Sequence, residues 1–277
     1  KKINKKTKAI VVVHLYGYVF DVNNLKKKIK NKKIKIIEDC AQAFGSEINK
    51  KKAGTLADFS CFSFHAQKNM TTLGEGGAIY VKNSTLAKKI PGLRLNGHRP
   101  YSFKRKNYWL PAMINTDQDL TYAWPYKFSL SEIQCAAGII MLKKIDKLNN
   151  IRINRAKKLT NFFKNNNHLI FNKSFDQKRH VYHLLSAFCV PSKKFNRDNL
   201  IKILYEKFKI KCAAQYYPLY RYPLFMKKGH GSASCPNTDK FYDNMISFPF
   251  HVWMNDKKFD YLIKSIILSI KILKNIK

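Results

Sequence analysis

Four short apolar runs constrain the fold more than any other feature: "AIVVV" at 9–13, "IKIIED" at 34–39, "FSCFSF" at 59–64 and "GAIYV" at 77–81. Each has strand length, and the first is continuous in apolar residues instead of alternating. Between and after them lie the helical segments "NNLKKKIKN" and "STLAKKI". Strands of this kind are buried on both faces, which predicts a mostly parallel central sheet in an α/β domain covered on both sides. In such sheets ligands gather at the carboxyl ends of the strands.

Residues 92–130 are rich in aromatic, Pro and polar residues without periodicity and read as a long loop region of the kind that often carries function. From "SLSEIQCAAGIIMLKKIDKLNN" the period becomes helical and stays so to about Phe163. Ser129 or Ser131 can cap this helix, and Ser129 with Glu132 fits a capping box. The rest alternates strand and helix: a strand in "HVYHLLSAFCV", a helix over "RDNLIKILYEKF", a strand near "IKCAAQYY" and a terminal helix. The division expected is a large domain over 1–145 and a smaller α+β domain over 146–277.

The net charge is +36, but only eight of the 53 basic residues are Arg, the residue best suited to bidentate phosphate and base contacts. The lysines are spread along the chain, which reads as a solvated surface and argues against a nucleic-acid-binding protein, the alternative from another functional class. Six cysteines form no Cys-x-x-Cys pair and no zinc-finger spacing, so no metal site is indicated and a reducing cytoplasm fits. No apolar stretch is long enough to cross a bilayer. The terminal helix could lie on a membrane surface, but packing on its own domain is the commoner use of such a pattern.

Two groups of residues could do chemistry. Asp39 ends a strand, where a carboxylate suits a cation or a protonated ring nitrogen, and Gln42 follows one helical turn later. Ser63, Lys68 and the "GEGG" turn form the second group: a hydroxyl and backbone N–H groups suit a phosphate, and a partly desolvated lysine suits Schiff-base chemistry. The glycines at 74, 76 and 77 permit a tight turn, and the order of residues excludes a Walker loop. On these grounds alone Lys68 is one nominee among many lysines, and Asp39 could equally be a helix cap.

The motifs "VHLYG", "EDCAQAFGS", "GTLADFSCFSFHAQKNMTTLGEGGAIYV" and "SEIQCAAG", with the tail "QYYPLYRYPLF…CPNTDKFYDNMISFPFHVWM", resemble the DegT/StrS family of sugar aminotransferases over nearly the whole chain. The resemblance implies a fold-type-I large domain lacking its N-terminal part, a homodimer with sites at the interface, and pyridoxal phosphate as cofactor. It implies Lys68 as the Schiff-base lysine, Asp39 on the pyridine nitrogen, Gln42 near the ring and Ser63 on the cofactor phosphate. The implied reaction passes an amino group, usually from glutamate, to a nucleotide-linked keto sugar in surface-polysaccharide or secondary-metabolite biosynthesis. Relatives that remove a hydroxyl instead carry histidine at the lysine position, so Lys68 favours transamination.

Two departures accompany the resemblance. Family members carry a further segment before the point where this chain starts, with a phosphate-binding loop and an aromatic residue that stacks on the ring. An inactive truncated remnant is therefore a further reading. In "WPYKFSLSEIQ", Lys127 stands where the family more often has an Asn that reaches the neighbouring subunit's cofactor phosphate, and Ser129 stands where it more often has Arg. Arg99, Tyr217 and Arg221 fall in loops that could face a sugar diphosphate. His183 matches a recurrent family histidine, with a hydrogen-bonded core histidine as the plainer reading.

Overall fold

The computed structural model describes residues 2–98, 109, 113–116, 123–172 and 178–275. They fall into two units, Lys1–Asp146 with Gln177–Arg179, and Lys147–Asp176 with His180–Lys277.

The first unit is built on a four-stranded sheet. Strands Ala9–Val13, Lys35–Asp39 and Phe59–Ser63 run parallel in that order, and Gly77–Val81 adds an antiparallel fourth. The sheet is therefore parallel-rich, as its apolar runs predict. The last strand reverses because it follows a hairpin-like loop, which an antiparallel pair permits and a parallel pair does not. The first crossover contains the helix Val22–Lys28, whose Asp21 cap accepts the Asn24 N–H at 2.9 Å. Its core gathers Val12, Val19, Val22, Ile29, Ile36 and Leu56 on one face of the sheet.

Cover on both faces was expected, and the structure provides it on one. Across the sheet, Val11 and Ile79 are 59% and 60% exposed, while Val12 and Ile36 beside them are 7% and 3%. The core residues named above all lie on the Val12 side, so the described residues leave the opposite face without a second layer.

The helix Glu132–Phe162 runs from the first unit into the second along the chain. Its capping box joins Ser131 and Gln134 instead of Ser129 and Glu132. Ser131 Oγ accepts the Gln134 N–H at 3.3 Å, and Gln134 Oε1 accepts the Ser131 N–H at 3.1 Å.

The second unit packs a three-stranded antiparallel sheet, in the order Met245–Phe248, Leu185–Cys189, Leu169–Phe171, with the helices Arg197–Phe208 and Asp256–Asn275. The apolar face of the terminal helix (Phe259, Leu262, Ile266, Ile270 and Leu273) is buried in this core. Each such side chain contributes about 1.5–3 kcal/mol, which explains why the face is not turned outward. No described helix is long and apolar enough to cross a membrane. Two predicted strands shrink. "HVYHLLSAFCV" is strand only over Leu185–Cys189, preceded by a bend with Tyr182 at φ 48°, and "IKCAAQYY" keeps a single bridge, Ala213 to Ser247.

Candidate active site

The carboxyl edge of the parallel sheet is organised by Glu38 and Asp39, which period-two alternation sends to opposite faces. Glu38 is fully buried. Its Oε1 accepts the Gly54 N–H at 2.9 Å, and its Oε2 accepts the Leu56 and Ala57 N–H groups, both at 2.8 Å. His14, also fully buried, places Nε2 2.9 Å from Glu38 Oε1. The Phe20 N–H donates to His14 Nδ1 at 3.1 Å, so the imidazole proton sits on Nε2 and is donated to Glu38. Burial acts to raise the Glu38 pKa, but the His14 hydrogen bond and the three backbone N–H groups outweigh it and hold the carboxyl below the ordinary 4.5.

Cys40 lies close enough to His14 and Glu38 to suggest a metal cluster. Both ring nitrogens of His14 are already engaged, and burial pushes the Cys40 thiol well above the ordinary cysteine range. The three residues are better described as a hydrogen-bonded hub. Glu38 is what sequence reasoning missed. The signal was there: an acid one residue from Asp39 in an apolar strand must face the opposite side, and a buried acid needs several donors.

Asp39 faces the bare side of the sheet, half-buried. Its Oδ1 accepts the Ala41 N–H at 3.0 Å, and it has no ion-pair partner among the described residues. It pairs in register with Cys61, and Ser63 lies two residues further along the same strand on the same face. Strand spacing therefore puts the Asp39 and Ser63 Cα atoms about 8 Å apart. Ser63 Oγ accepts the His65 N–H at 3.3 Å, which leaves its own hydroxyl proton free to donate.

The chain then extends beyond the sheet edge and folds back. The Phe64 N–H donates to Gly76 O and the Ala66 N–H to Gly74 O, both at 2.7 Å, while the Lys68 N–H closes a turn on His65 O at 2.9 Å. Lys68 thus stands at the tip of a tied loop, half-buried, with no ion-pair partner among the described residues. Glycine is required where the loop re-enters the sheet: a Cβ on Gly77 would lie 2.6 Å from the Phe62 carbonyl oxygen. The loop is also tied from outside, since Gln134 Nε2 donates to Glu75 O at 2.8 Å. The start of the long helix is thereby fixed to the "GEGG" turn.

Gln42 has a positioning part. Its Oε1 accepts the Tyr16 N–H at 2.7 Å, holding the "HLYG" turn in which Tyr16 adopts φ 60°. Lys127 is exposed beside Leu95, to which it forms a bridge, in a strip with exposed Trp124, Tyr126 and Phe128.

His183, Tyr217 and Arg221 belong to the second unit. His183 is buried, and its carbonyl accepts from Arg152 Nη2 at 2.8 Å. Tyr217 is exposed and packs edge-on against Tyr222 and Tyr242. Arg221 is paired with both Asp239 and Asp243, and the Asp243 hydrogen bond leads the effects that hold its guanidinium above the ordinary range. Its charge is therefore already matched within the chain. Arg99 lies outside the described residues.

The sequence profile of the DegT/DnrJ/EryC1/StrS aminotransferase family matches residues 1–267. The chain belongs to this family. Among curated members it is 33% identical over 257 residues to the UDP-4-amino-4,6-dideoxy-N-acetyl-beta-L-altrosamine transaminase of Campylobacter jejuni, covering 91% of this chain and 63% of that one. It is 30% identical over 233 residues to the GDP-perosamine synthase of Escherichia coli O157:H7, covering 82% of this chain and 57% of that one. Among solved members it superposes on Helicobacter pylori PseC, an aminotransferase of pseudoaminic acid biosynthesis, with a TM-score of 0.83 at 28% identity. That match covers 98% of this chain and 68% of PseC. The chain thus spans less than two thirds of the length of these two curated family members.

Proposed function

We propose that this chain carries the lysine-bearing part of a pyridoxal-phosphate-dependent aminotransferase that moves an amino group, with glutamate as donor, onto a nucleotide-linked keto sugar. The observation that carries the reading is a pair of opposite charges in the first unit, Asp39 and Lys68, neither with an ion-pair partner among the described residues. Asp39 ends a strand on the face that also holds Ser63, and Lys68 stands on the loop that leaves that same strand edge. A donor set of a carboxylate without a cation, an amine without an anion and a free hydroxyl proton fits a cofactor with a basic ring nitrogen, an aldehyde and a phosphate. Relatives whose names carry UDP- and GDP-linked amino sugars support the substrate class.

Pyridoxal phosphate, when bound, supplies a carbonyl for amine exchange and a ring that draws negative charge away from the substrate carbon. Asp39 would keep the ring nitrogen protonated, and Ser63 would donate to the phosphate. Lys68 Nζ would hold the cofactor covalently. When displaced by an incoming amine, it would take up the proton from the substrate carbon and return it as a general base and acid. Gln42 acts through the Tyr16 turn beside Asp39, and exposed Lys127 offers a point charge to a phosphate. Arg99, His183, Tyr217 and Arg221 are assigned to the substrate side, with Arg221 acting through its paired acids and not as a free cation. A homodimer and a cytoplasmic setting complete the proposal; the exposed Trp124–Phe128 strip and the absence of a membrane-crossing helix among the described residues agree with it.

The test uses the abundance of lysine. Incubated with pyridoxal phosphate and then borohydride, the protein should carry the cofactor mass on the peptide containing Lys68, and Lys68→Ala should remove it. Mass spread evenly over surface lysines would sink the proposal.

A further inference from the structure

The terminal helix Asp256–Asn275 has two unlike faces. Its apolar side is buried in the core of the second unit, so the side turned to solvent is set by Lys257, Tyr261, Lys264, Leu268 and Lys271. Spacings of four, three, four and three residues put these five in one stripe about 21 Å long. Tyr261 and Leu268 are 50% and 46% exposed between the lysines. The helix carries two acids, and both are already paired with the long helix: Asp256 with Arg155 at 3.2 Å and Asp260 with Lys158 at 2.7 Å. The stripe lysines have no ion-pair partner among the described residues. Tyr261 OH donates to the Phe208 carbonyl at 3.1 Å, which brings exposed Lys209 to the edge of the same surface. Exposed Trp253 stands just before the helix begins.

We infer that this stripe docks on an anionic lipid bilayer, with the protein lying peripherally on the headgroups. Two observations select this occupant. The first is charge: the acids of the helix are spent on the long helix, so the stripe presents cations alone and calls for an anionic surface. Clusters of about 4–8 basic residues hold a protein on such a surface, and Lys257, Lys264 and Lys271 with flanking Lys258 and Lys209 reach that size. The second is the interleaving of Tyr261 and Leu268. A merely solvated lysine face gains nothing from them, whereas an aromatic ring and an alkyl group suit the boundary between headgroup and acyl chain. The stripe also contains no Arg, which argues for lipid over nucleic acid. Docking leaves the core intact, because the apolar face of the helix stays packed and only the outward face meets the bilayer. The inference is independent of the proposed chemistry.

The test sediments the whole protein with vesicles of phosphatidylcholine and phosphatidylserine, and with vesicles of phosphatidylcholine alone. A chain of net charge +36 meets any anionic surface, so the deciding comparison is between two triple variants with the same change in charge. One reverses the stripe (Lys257→Glu, Lys264→Glu and Lys271→Glu). The other reverses exposed lysines of the first unit (Lys27→Glu, Lys30→Glu and Lys32→Glu). The inference expects binding to the mixed vesicles only, weakened about ten-fold or more by the stripe variant and less than about three-fold by the other. Thermal midpoints without vesicles check that both variants fold. Gln at the same three stripe positions, a gentler change, should weaken binding in the same direction. The inference is overturned if the mixed vesicles are not bound, if neutral vesicles are bound equally, or if both reversals cost the same. Duplex DNA bound through the stripe, with vesicles left unbound, would assign the face to nucleic acid and overturn it as well.

Discussion

His14 Nε2 meets Glu38 Oε1 at 2.9 Å with neither side chain exposed, and His14 can only be the donor because its other nitrogen accepts the Phe20 N–H. The same carboxylate collects the N–H groups of Gly54, Leu56 and Ala57. One buried acid thus joins the first two strands to the 54–57 turn. Asp39 is the next residue, so the geometry of the candidate site is anchored through its neighbour.

Glu38→Ala strands four donors without water, and about 3–5 kcal/mol of stability should be lost in urea unfolding. The pH dependence has a definite sign. The folded pKa of Glu38 lies below its unfolded value near 4.5, so its contribution is complete above that value and is lost as pH falls through the lower, folded one. Wild-type protein should therefore lose stability on acidification below pH 4.5 more steeply than a Glu38→Gln variant. Equal slopes would mean that Glu38 is not the charged centre of the hub.

Lys68→Ala should leave the thermal midpoint unchanged, because the loop is tied by backbone hydrogen bonds at Phe64, Ala66 and Lys68 and the side chain has no ion pair among the described residues. Aminotransferase activity in a family-length protein should fall by about 10²–10⁴-fold or more, the range for a lost general base. A variant that turned over normally would remove Lys68 from the mechanism.

Gly77→Ala puts a methyl group against the Phe62 carbonyl oxygen, a backbone atom held by strand pairing and unable to give way. A cost of about 1–3 kcal/mol is expected from thermal or urea denaturation. The displaced strand end should also weaken capture of pyridoxal phosphate at Lys68. A neutral substitution would show that the strand re-enters the sheet more loosely than this contact implies.

Ser265 and Ser269 are buried on the terminal helix, and their hydroxyls have no hydrogen-bond partner among the described residues. Replacing either with Ala removes an unsatisfied group and raises helix propensity, so stability should hold or rise by up to about 1 kcal/mol. A loss greater than that would reveal a partner for the hydroxyl.

Much of the first unit was legible because short apolar runs can be used in few ways. "AIVVV", "IKIIED", "FSCFS" and "GAIYV" each became a strand, and "RDNLIKILYEKF" became a helix of the same length, because local periodicity and burial agree there. The capping box was misplaced by two residues: both serines precede an acid or amide at the right spacing, and only the direction of the chain entering the helix chooses Ser131. The strand expected across "HVYHLL" was lost because Arg152 draws the carbonyls of Tyr182 and His183 onto its guanidinium, a contact made across 30 residues or more.

The sequence by itself determined the class of sheet, the order of elements and the nomination of Lys68 and Asp39, since these depend on residue type, spacing and motif within short stretches. Only the tertiary structure decided that Glu38 is the buried hub, that the charge of Arg221 is spent on Asp239 and Asp243, and that the described residues cover one face of the sheet and not the other. Each depends on which groups meet after the chain has folded. Burial, pairing and exposure are properties of those meetings and not of any single segment.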